Sequence, residues 1–586
     1  MQSYLAYRRF AHHPDILAAR DRERRLKSNS IPPTPPSPSH STTDSSRISA
    51  GPTRVPSRDS EIADPDEDLE RQSIPGAARE PLETPQQEQE DPYLVAWTHG
   101  DPENPHNWSD TRRWLVTFLV GQIALLGGAA ASIDQAAATG AAEALRVSVE
   151  VLSLETALFL VGFGIASPFF APLSEIGGRN PVYIVTLLIF VLFEGGIALS
   201  SDIQTRVILR FFSGIAGSPV LSNAGGTLSD MWNPLERTFA FPFFACCGFL
   251  GPAVGPVIGG FIGQSALGYK WCDWITAIWG LGLLVAMVLW LPETYSPALL
   301  KMKAAQMRAA TSNPLYLSPT ERHRQHVSFS TDFWATMARP FILPVLEPIV
   351  LFFSLYMTVV YCVLFGNFEA YPLIFDQYGL NAGQLGLTFI PISVGLIIIL
   401  AFTPWTYRQY KRQWDSALST FEAEKAKAEK NGDIGGVREG TKVKFHAPPP
   451  ETRLHLAMWG TWLFPISLFW FAWTCYKDIG PWPAIVSGAT FGAGILCCFI
   501  SSYQYIIDAY ESYAASALSS LTLIRYVASG GAVLWTSPMF KKLGNHWALS
   551  LLGFLSILFS LVPWGFYIWG PKIRSWSRYA KHEKVN

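Results

Sequence analysis

The chain has 586 residues, 49% of them hydrophobic and 13% aromatic, with a formal net charge of −1. The near-neutral total hides a division between a polar first hundred residues and a remainder built of long apolar runs, which excludes an ordinary water-soluble domain. The seven Cys include no CxxC pair, so neither a metal centre nor a disulfide framework is expected to organise the fold.

In chain order, residues 1–107 read as a disordered cytoplasmic N-terminal tail. The opening MQSYLAYRRFAHHPDILAAR has no apolar core of signal-peptide length, so insertion is expected to begin at the first span. A Ser/Thr/Pro tract from Ser28 to Ser60 and an acidic run around Asp64–Glu70 cannot bury enough apolar surface to offset the entropy of ordering. Twelve runs then approach the roughly 20 apolar residues that a bilayer core requires. They are 114–134, 152–172, 181–200, 205–228, 239–262 and 273–291, then 345–368, 383–404, 454–473, 483–507, 516–538 and 547–568.

Six spans, a break of about fifty residues and six more spans form the coarse repeat of many secondary transporters. The predicted fold is an all-α integral membrane protein, with twelve transmembrane helices in two pseudo-symmetric six-helix bundles at 108–291 and 345–569. A cytoplasmic central loop at 292–344, a charged cytoplasmic loop at 405–453 and a C-terminal tail at 570–586 complete the domain plan. Beyond the N-terminal tail, most Lys and Arg outside the spans fall in these segments, which places both ends of the chain on the cytoplasmic side. On this topology the sequon Asn107-Trp-Ser109 faces the cytoplasm and stays unmodified.

Span 5 carries the most distinctive pattern. Gly248, Gly251, Pro252, Gly255, Pro256, Gly259 and Gly260 lie in an apolar run without charge. At helical spacing Gly251, Gly255 and Gly259 fall on one line, with Pro252, Pro256 and Gly260 beside it. The result is a bare stripe suited to close helix packing, with prolines that interrupt the hydrogen-bond ladder.

Between spans 2 and 3 stands Ala171-Pro-Leu-Ser-Glu175-Ile-Gly-Gly178-Arg179-Asn180, a tight turn whose Glu175, Gly178 and Arg179 can clamp neighbouring helix ends. Here the chain resembles the major facilitator superfamily, and more narrowly its fungal twelve-spanner drug:proton antiporters, a group that includes polyamine exporters. Asp101-Pro-Glu-Asn-Pro-His-Asn107-Trp108, Arg210-Phe-Phe-Ser-Gly214-Ile-Ala-Gly217-Ser218 and Pro292-Glu293-Thr294 are similar to runs of that group, as is the span-5 stripe. The turn departs from the family pattern at Ala171, where Gly is usual, and at Asn180, where a basic residue is common. The resemblance implies a multidrug-type efflux antiporter of the fungal plasma membrane, with the vacuolar membrane as the alternative.

Ionisable groups at membrane depth are costly and face a cavity or a partner. Arg210, Asp134, Glu194, Glu369, Asp508 and Arg525 are the candidates for proton coupling or cavity lining. The preferred couple is Arg210 with Asp134 or Glu194; Arg525 is expected to hold an anionic partner or a backbone carbonyl in the other half. Tyr356, Tyr361, Phe368, Tyr503 and Tyr505 are candidates to line a cavity for flat or cationic substrates.

The function expected is proton-coupled export of amphipathic small molecules such as drugs, toxins, secondary metabolites or polyamines, by alternating access. Its partners are a small-molecule substrate, protons and the lipid bilayer. The protein is expected to act as a monomer, with no nucleic acid and no cofactor. No G-x4-G-K-[ST] loop occurs, which disfavours ATP drive. The alternatives are an importer or facilitator of the same superfamily, or a membrane-embedded enzyme of secondary metabolism. Against the last, the 11 His form no cluster.

Overall fold

The structure, a computed structural model, describes residues 7, 9–10, 13–29, 93–326, 329–430 and 447–580. The Ser/Thr/Pro tract beyond Asn29, the acidic run and part of the 405–453 loop lie outside the described residues. Within them, 10 helical stretches are long and apolar enough to cross a bilayer. One of these, Ala514–Trp576, accounts for two crossings. Gly544, with φ 75° and ψ 161°, turns the chain back inside it, in a backbone region that a side chain would strain. A further crossing is assembled from two shorter helices, Ile203–Gly217 and Pro219–Met231, which meet at Ser218. The described residues therefore make twelve crossings, as the hydropathy pattern predicts.

Spans 1 to 3 are Asp110–Ala130, Val149–Gly177 and Arg179–Leu199. Span 4 is the broken helix, and spans 5 and 6 are Arg237–Gly263 and Lys270–Trp290. After the linking helices Ser296–Thr311, Pro319–His326 and Phe329–Leu346 comes span 7, Pro348–Phe375. Span 8 runs through Ala382–Leu387 and Ile390–Ala401 into the charged helix Thr403–Lys430. Span 9 comprises Pro450–Leu454, His455–Gly460 and Leu463–Thr474, and span 10 is Trp482–Tyr510. Span 11 occupies residues 514–543. Span 12 follows Gly544 and ends in Val562–Trp576.

The pairing of these helices repeats. Span 1 packs on span 5 as span 7 packs on span 11; span 2 lies on span 4 as span 8 lies on span 10; span 3 lies on span 6 as span 9 lies on span 12. The two halves meet through span 2 on span 11 and span 5 on span 8, a pair of contacts that the same repeat exchanges. Leu192, Leu199, Ile208, Ile278 and Leu558 are each more than half exposed on the outside of this bundle. So broad an apolar exterior is a surface for lipid, not water.

Twelve crossings put both described ends on one face, called here the tail face. Part of the expected tail is folded there. Pro14–Asn29 is a helix that lies on Ser296–Thr311, and Phe10, Ile16, Val95, Leu299 and Met307 form a small core beneath it. The fully buried Lys303 ammonium holds the junction, 2.5 Å from Asp15 and 2.9 Å from Asp101, while His13 Nε2 lies 3.1 Å from the other Asp101 oxygen. The helix is ordered by this docking and not by its own strongly polar composition.

Candidate functional site

The span-5 stripe has two working faces. A Cβ on Gly251 or Gly255 would run into the backbone of span 1 at Leu125 or Ala129, and one on Gly259 into Ile133 just beyond it. Ser132 Oγ of the segment leaving span 1 donates to Pro252 O at 3.1 Å. The other face meets the opposite half: Gly260 lies against Ala382 O, and Gly386 against Pro256 O, both at the start of span 8. One bare stripe thus joins span 1 to span 5 within a half and abuts the partner half. Gly248, by contrast, meets only Ala124 Cβ at 3.8 Å.

Behind the stripe, in the half of the N-terminal bundle away from the tail face, six charged groups converge. Arg206 and Arg210 lie one helical turn apart on span 4 and are each 1% exposed. Arg206 forks onto Glu155 of span 2 at 2.9 and 3.1 Å and reaches Asp273 of span 6 at 3.0 Å. Arg210 bonds Asp273 at 2.7 Å, Glu194 of span 3 at 3.2 Å, Ala130 O at 3.3 Å, and Asp134. Ser213 and Thr276 donate to Glu194 at 2.5 and 3.0 Å. Two guanidiniums therefore face four carboxylates. A low-dielectric interior penalises such an anionic excess heavily, and protons can neutralise it. Asp134 and Glu155 also border a cavity of about 340 Å³ on the face opposite the tails, so the cluster has an aqueous edge.

Polar contacts between the halves close both faces. On the tail face Asp508 of span 10 pairs with Arg237 of span 5 and, at 2.6 Å, with Arg453. Arg453 also donates to Thr238 Oγ1 at 2.7 Å and Pro234 O at 2.9 Å. On the opposite face Glu369 of span 7 accepts from Gln135 at 2.9 Å and Ser153 at 3.0 Å. Lys541 bonds Glu150 there at 2.6 Å. The turn after span 2 sits beside the tail-face contacts. Arg179 there bonds Ser174 Oγ at 2.5 Å and pairs with Asp230 at 3.4 Å. Glu293 caps the start of span 3, accepting from the N–H groups of Arg179 and Asn180 at 2.9 and 3.2 Å. Its carboxylate occupies the space that a Cβ on Gly178, at φ 93°, would need. Glu175 borders the adjoining cavity of about 510 Å³.

Between the closed faces the central space shrinks to about 30 Å³, walled by Gly127, Gly128, Phe163, Phe249, Tyr361 and Tyr526, among others. Phe163 of span 2 stacks on Tyr526 of span 11 at 4.4 Å, across the junction of the halves. Arg525 lies fully buried next to this wall. Its guanidinium is 4.4 Å from the Tyr361 ring and 5.2–5.3 Å from those of Phe499, Tyr503 and Tyr526.

Among the residues singled out in the sequence, Asp134 and Glu194 gather on Arg210, and Tyr361 and Tyr503 on Arg525. Glu369 and Asp508 lie at opposite closures, apart from that cluster. Phe368 borders the cavity opposite the tails, beside Glu369. Tyr356 and Tyr505 lie in the packing of the C-terminal half, against Phe353 and Phe566, and not on the central wall. Sequence reasoning missed Arg206, Glu155, Asp273, Arg237 and Arg453. The spacing of Arg206 and Arg210 by one turn was the available signal for the first of these.

Comparison with known proteins places this geometry. Residues 117–533 match the Major Facilitator Superfamily. The uncharacterised transporter mfs2 of Schizosaccharomyces pombe is 41% identical over 84% of this chain and 85% of its own length. The MFS-type transporter kojT of Aspergillus flavus is 40% identical over 82% of each chain. The MFS-type efflux pump MFS2 of Trichophyton rubrum is 34% identical over 84% of this chain and 78% of its own length. Among solved structures, the proton:xylose symporter XylE shares the fold, with a TM-score of 0.54 at 16% identity over 78% of this chain and 97% of that one. A family match over most of the crossings, on a scaffold with two closures around a central space, identifies this chain as a multi-pass membrane transporter of the major facilitator superfamily and not an enzyme.

Proposed function

We propose that the protein exports amphipathic small molecules in exchange for protons, in the manner of the drug:proton antiporters it resembles. One observation carries the reading: the span-4 arginines with their four carboxylates, buried in the N-terminal half and opening onto one face through Asp134 and Glu155. A proton entering from that face is taken up where Asp134 or Glu155 meets water. Neutralising either carboxylate weakens its hold on a guanidinium, and Arg206 and Arg210 then redistribute their bonds between Glu194 and Asp273. Because spans 2, 3, 4 and 6 all contribute to the cluster, that exchange alters how the N-terminal half is held together. The export direction draws support from the Trichophyton efflux pump. On this reading the protein works as a monomer, since one chain supplies the whole path, and resides in the plasma membrane as the resemblance implies.

The test is transport by purified protein in liposomes with an imposed pH gradient. Asp134→Asn and Glu194→Gln should abolish uphill movement of a transported dye while leaving its downhill exchange. Unchanged gradient-driven uptake in both variants would reject the coupling role.

A further inference from the structure

We propose that the central cavity takes a flat, apolar molecule bearing one negatively charged oxygen acid, a carboxylate or an ionised enol or phenol, and that Arg525 is its counter-charge. The inference rests on the export reading only in taking the central cavity as the substrate's path. It narrows the amphipathic class to anions and sets aside the ammonium compounds and polyamines that the aromatic content of the chain first suggests.

The argument begins with a contrast between two halves related by a repeat. Arg206 and Arg210, buried in the first half, are over-supplied with carboxylates. Arg525, equally buried in the second half, has no carboxylate partner among the described residues. Among the described residues its polar partners are hydroxyls alone, Thr522 Oγ1 at a long 3.4 Å from Nη2 and the neighbouring Tyr503, and Nε and Nη1 find no acceptor there. A buried guanidinium with two idle donors is an expensive arrangement, which a chain retains more readily where something arrives to complete it.

The surroundings say what that something is. Four aromatic rings face the guanidinium, and their electron-rich faces offset part of the cost of burying it. Three of those rings, Tyr361, Phe499 and Tyr526, are also walls of the central cavity. The protein's own cation already lies over one face of each ring, so a cationic substrate approaching the other side would meet repulsion from Arg525 behind it. An anion meets the reverse: a positive centre with free N–H donors immediately behind the wall. The lining from the N-terminal half includes Gly127, Gly128 and Gly248, which leaves a flat apolar body room to lie against Phe249 once the halves part.

The experiment uses three probes of one shape and different charge: radiolabelled 2-naphthoate, 2-naphthamide and 2-naphthylmethylammonium. Equilibrium binding is measured on the full-length protein in lipid nanodiscs. The naphthoate should bind at least about tenfold more tightly than the amide, with the ammonium weaker still. Arg525→Lys should keep the preference for acid over amide. Arg525→Gln should erase it while the amide binds as before, which shows that the cavity survives. Equal affinity for acid and amide in the wild type, binding of neither, or a preference that persists in Arg525→Gln overturns the proposal. The wild-type series decides even where a variant does not fold. Liposome flux separates the two readings. Naphthoate preference without gradient-driven movement defeats the proton coupling and leaves this inference standing. Gradient-driven movement of the amide or ammonium, with no acid preference, does the opposite.

Discussion

Arg206 illustrates how much a single side chain holds at this depth. Its guanidinium satisfies Glu155 through two bonds and Asp273 through a third, and none of the three groups is more than 2% exposed. Replacing it with Met leaves two buried carboxylates short of a partner, a loss of about 3–5 kcal/mol. Thermal unfolding in detergent should show Arg206→Met far less stable than wild type, whereas Asp134→Asn, at a side chain 20% exposed, should unfold close to it. Similar melting of the two variants would mean that Arg206 does not hold the cluster together. Asp101 offers a residue-scale pH test outside the membrane. Burial alone would push its carboxyl up, but Lys303, the Glu103 N–H and His13 pull it below its ordinary 3.8. A depressed acid stabilises the folded arrangement at pH above that ordinary value, and the contribution fades as pH falls through the lowered one. A spin label on Ala18→Cys, exposed on the docked N-terminal helix, should therefore stay immobilised at neutral pH and mobilise only below about pH 4.

At the scale of elements, span 5 shows what close packing asks of a helix. Three prolines sit inside Arg237–Gly263, yet the helix is continuous, because the neighbouring spans hold the segment where its own ladder is broken. Gly255→Val would thrust side-chain atoms into Ser132 and Ala129, and overpacking of this kind costs about 1–3 kcal/mol or more. Gly248→Ala should be tolerated, since its Cβ would meet only Ala124 at an ordinary contact distance. Melting temperature should fall for the first and hold for the second; equal effects would dissolve the claim that the stripe has a register. This stripe was legible in the sequence because glycine in an uncharged apolar run has few other uses. The charged cluster was only half legible. Arg210 and Glu194 stand well inside apolar runs, but Asp273 opens span 6 and Arg206 falls near the start of span 4, where each reads as a boundary group. Their meeting is a property of how spans 2, 3, 4 and 6 converge, which no single segment encodes. The N-terminal helix was hidden for a related reason: PDILAARDRERRLKSN carries almost no apolar signal, and the partner that orders it lies near Lys303, far along the chain.

For the whole molecule, the two closures and the cluster form one connected system. Asp134 adjoins Gln135 in the short 3-10 helix Gln135–Ala137, and Gln135 is one of the two groups that hold Glu369 across the junction. Asp134 therefore stands one peptide bond from a group of the closure opposite the tails. The tail-face closure depends on Asp508, which two arginines share. With both sets of contacts made, neither open form is favoured, and loss of either set should shift the population toward the corresponding opening. Removing Asp508 from its two arginines breaks a buried, hydrogen-bonded charge pair at a cost of about 2–5 kcal/mol, and removing Glu369 leaves Gln135 and Ser153 without their acceptor at about 1–3 kcal/mol, either enough to tilt a balanced equilibrium strongly to one side. Asp508→Ala should then open the tail face and Glu369→Ala the other. Reporter thiols placed at Ser229, which borders the tail-face cavity, and at Thr156, which borders the opposite one, read the two states directly. In nanodiscs, with the native Cys replaced, Asp508→Ala should speed maleimide labelling at Ser229→Cys and slow it at Thr156→Cys. Glu369→Ala should reverse both changes, because halves that rock as rigid bodies cannot open on two faces at once. Faster labelling at both positions in either variant would mean that the closures come apart independently, and alternating access by rocking would not describe this protein.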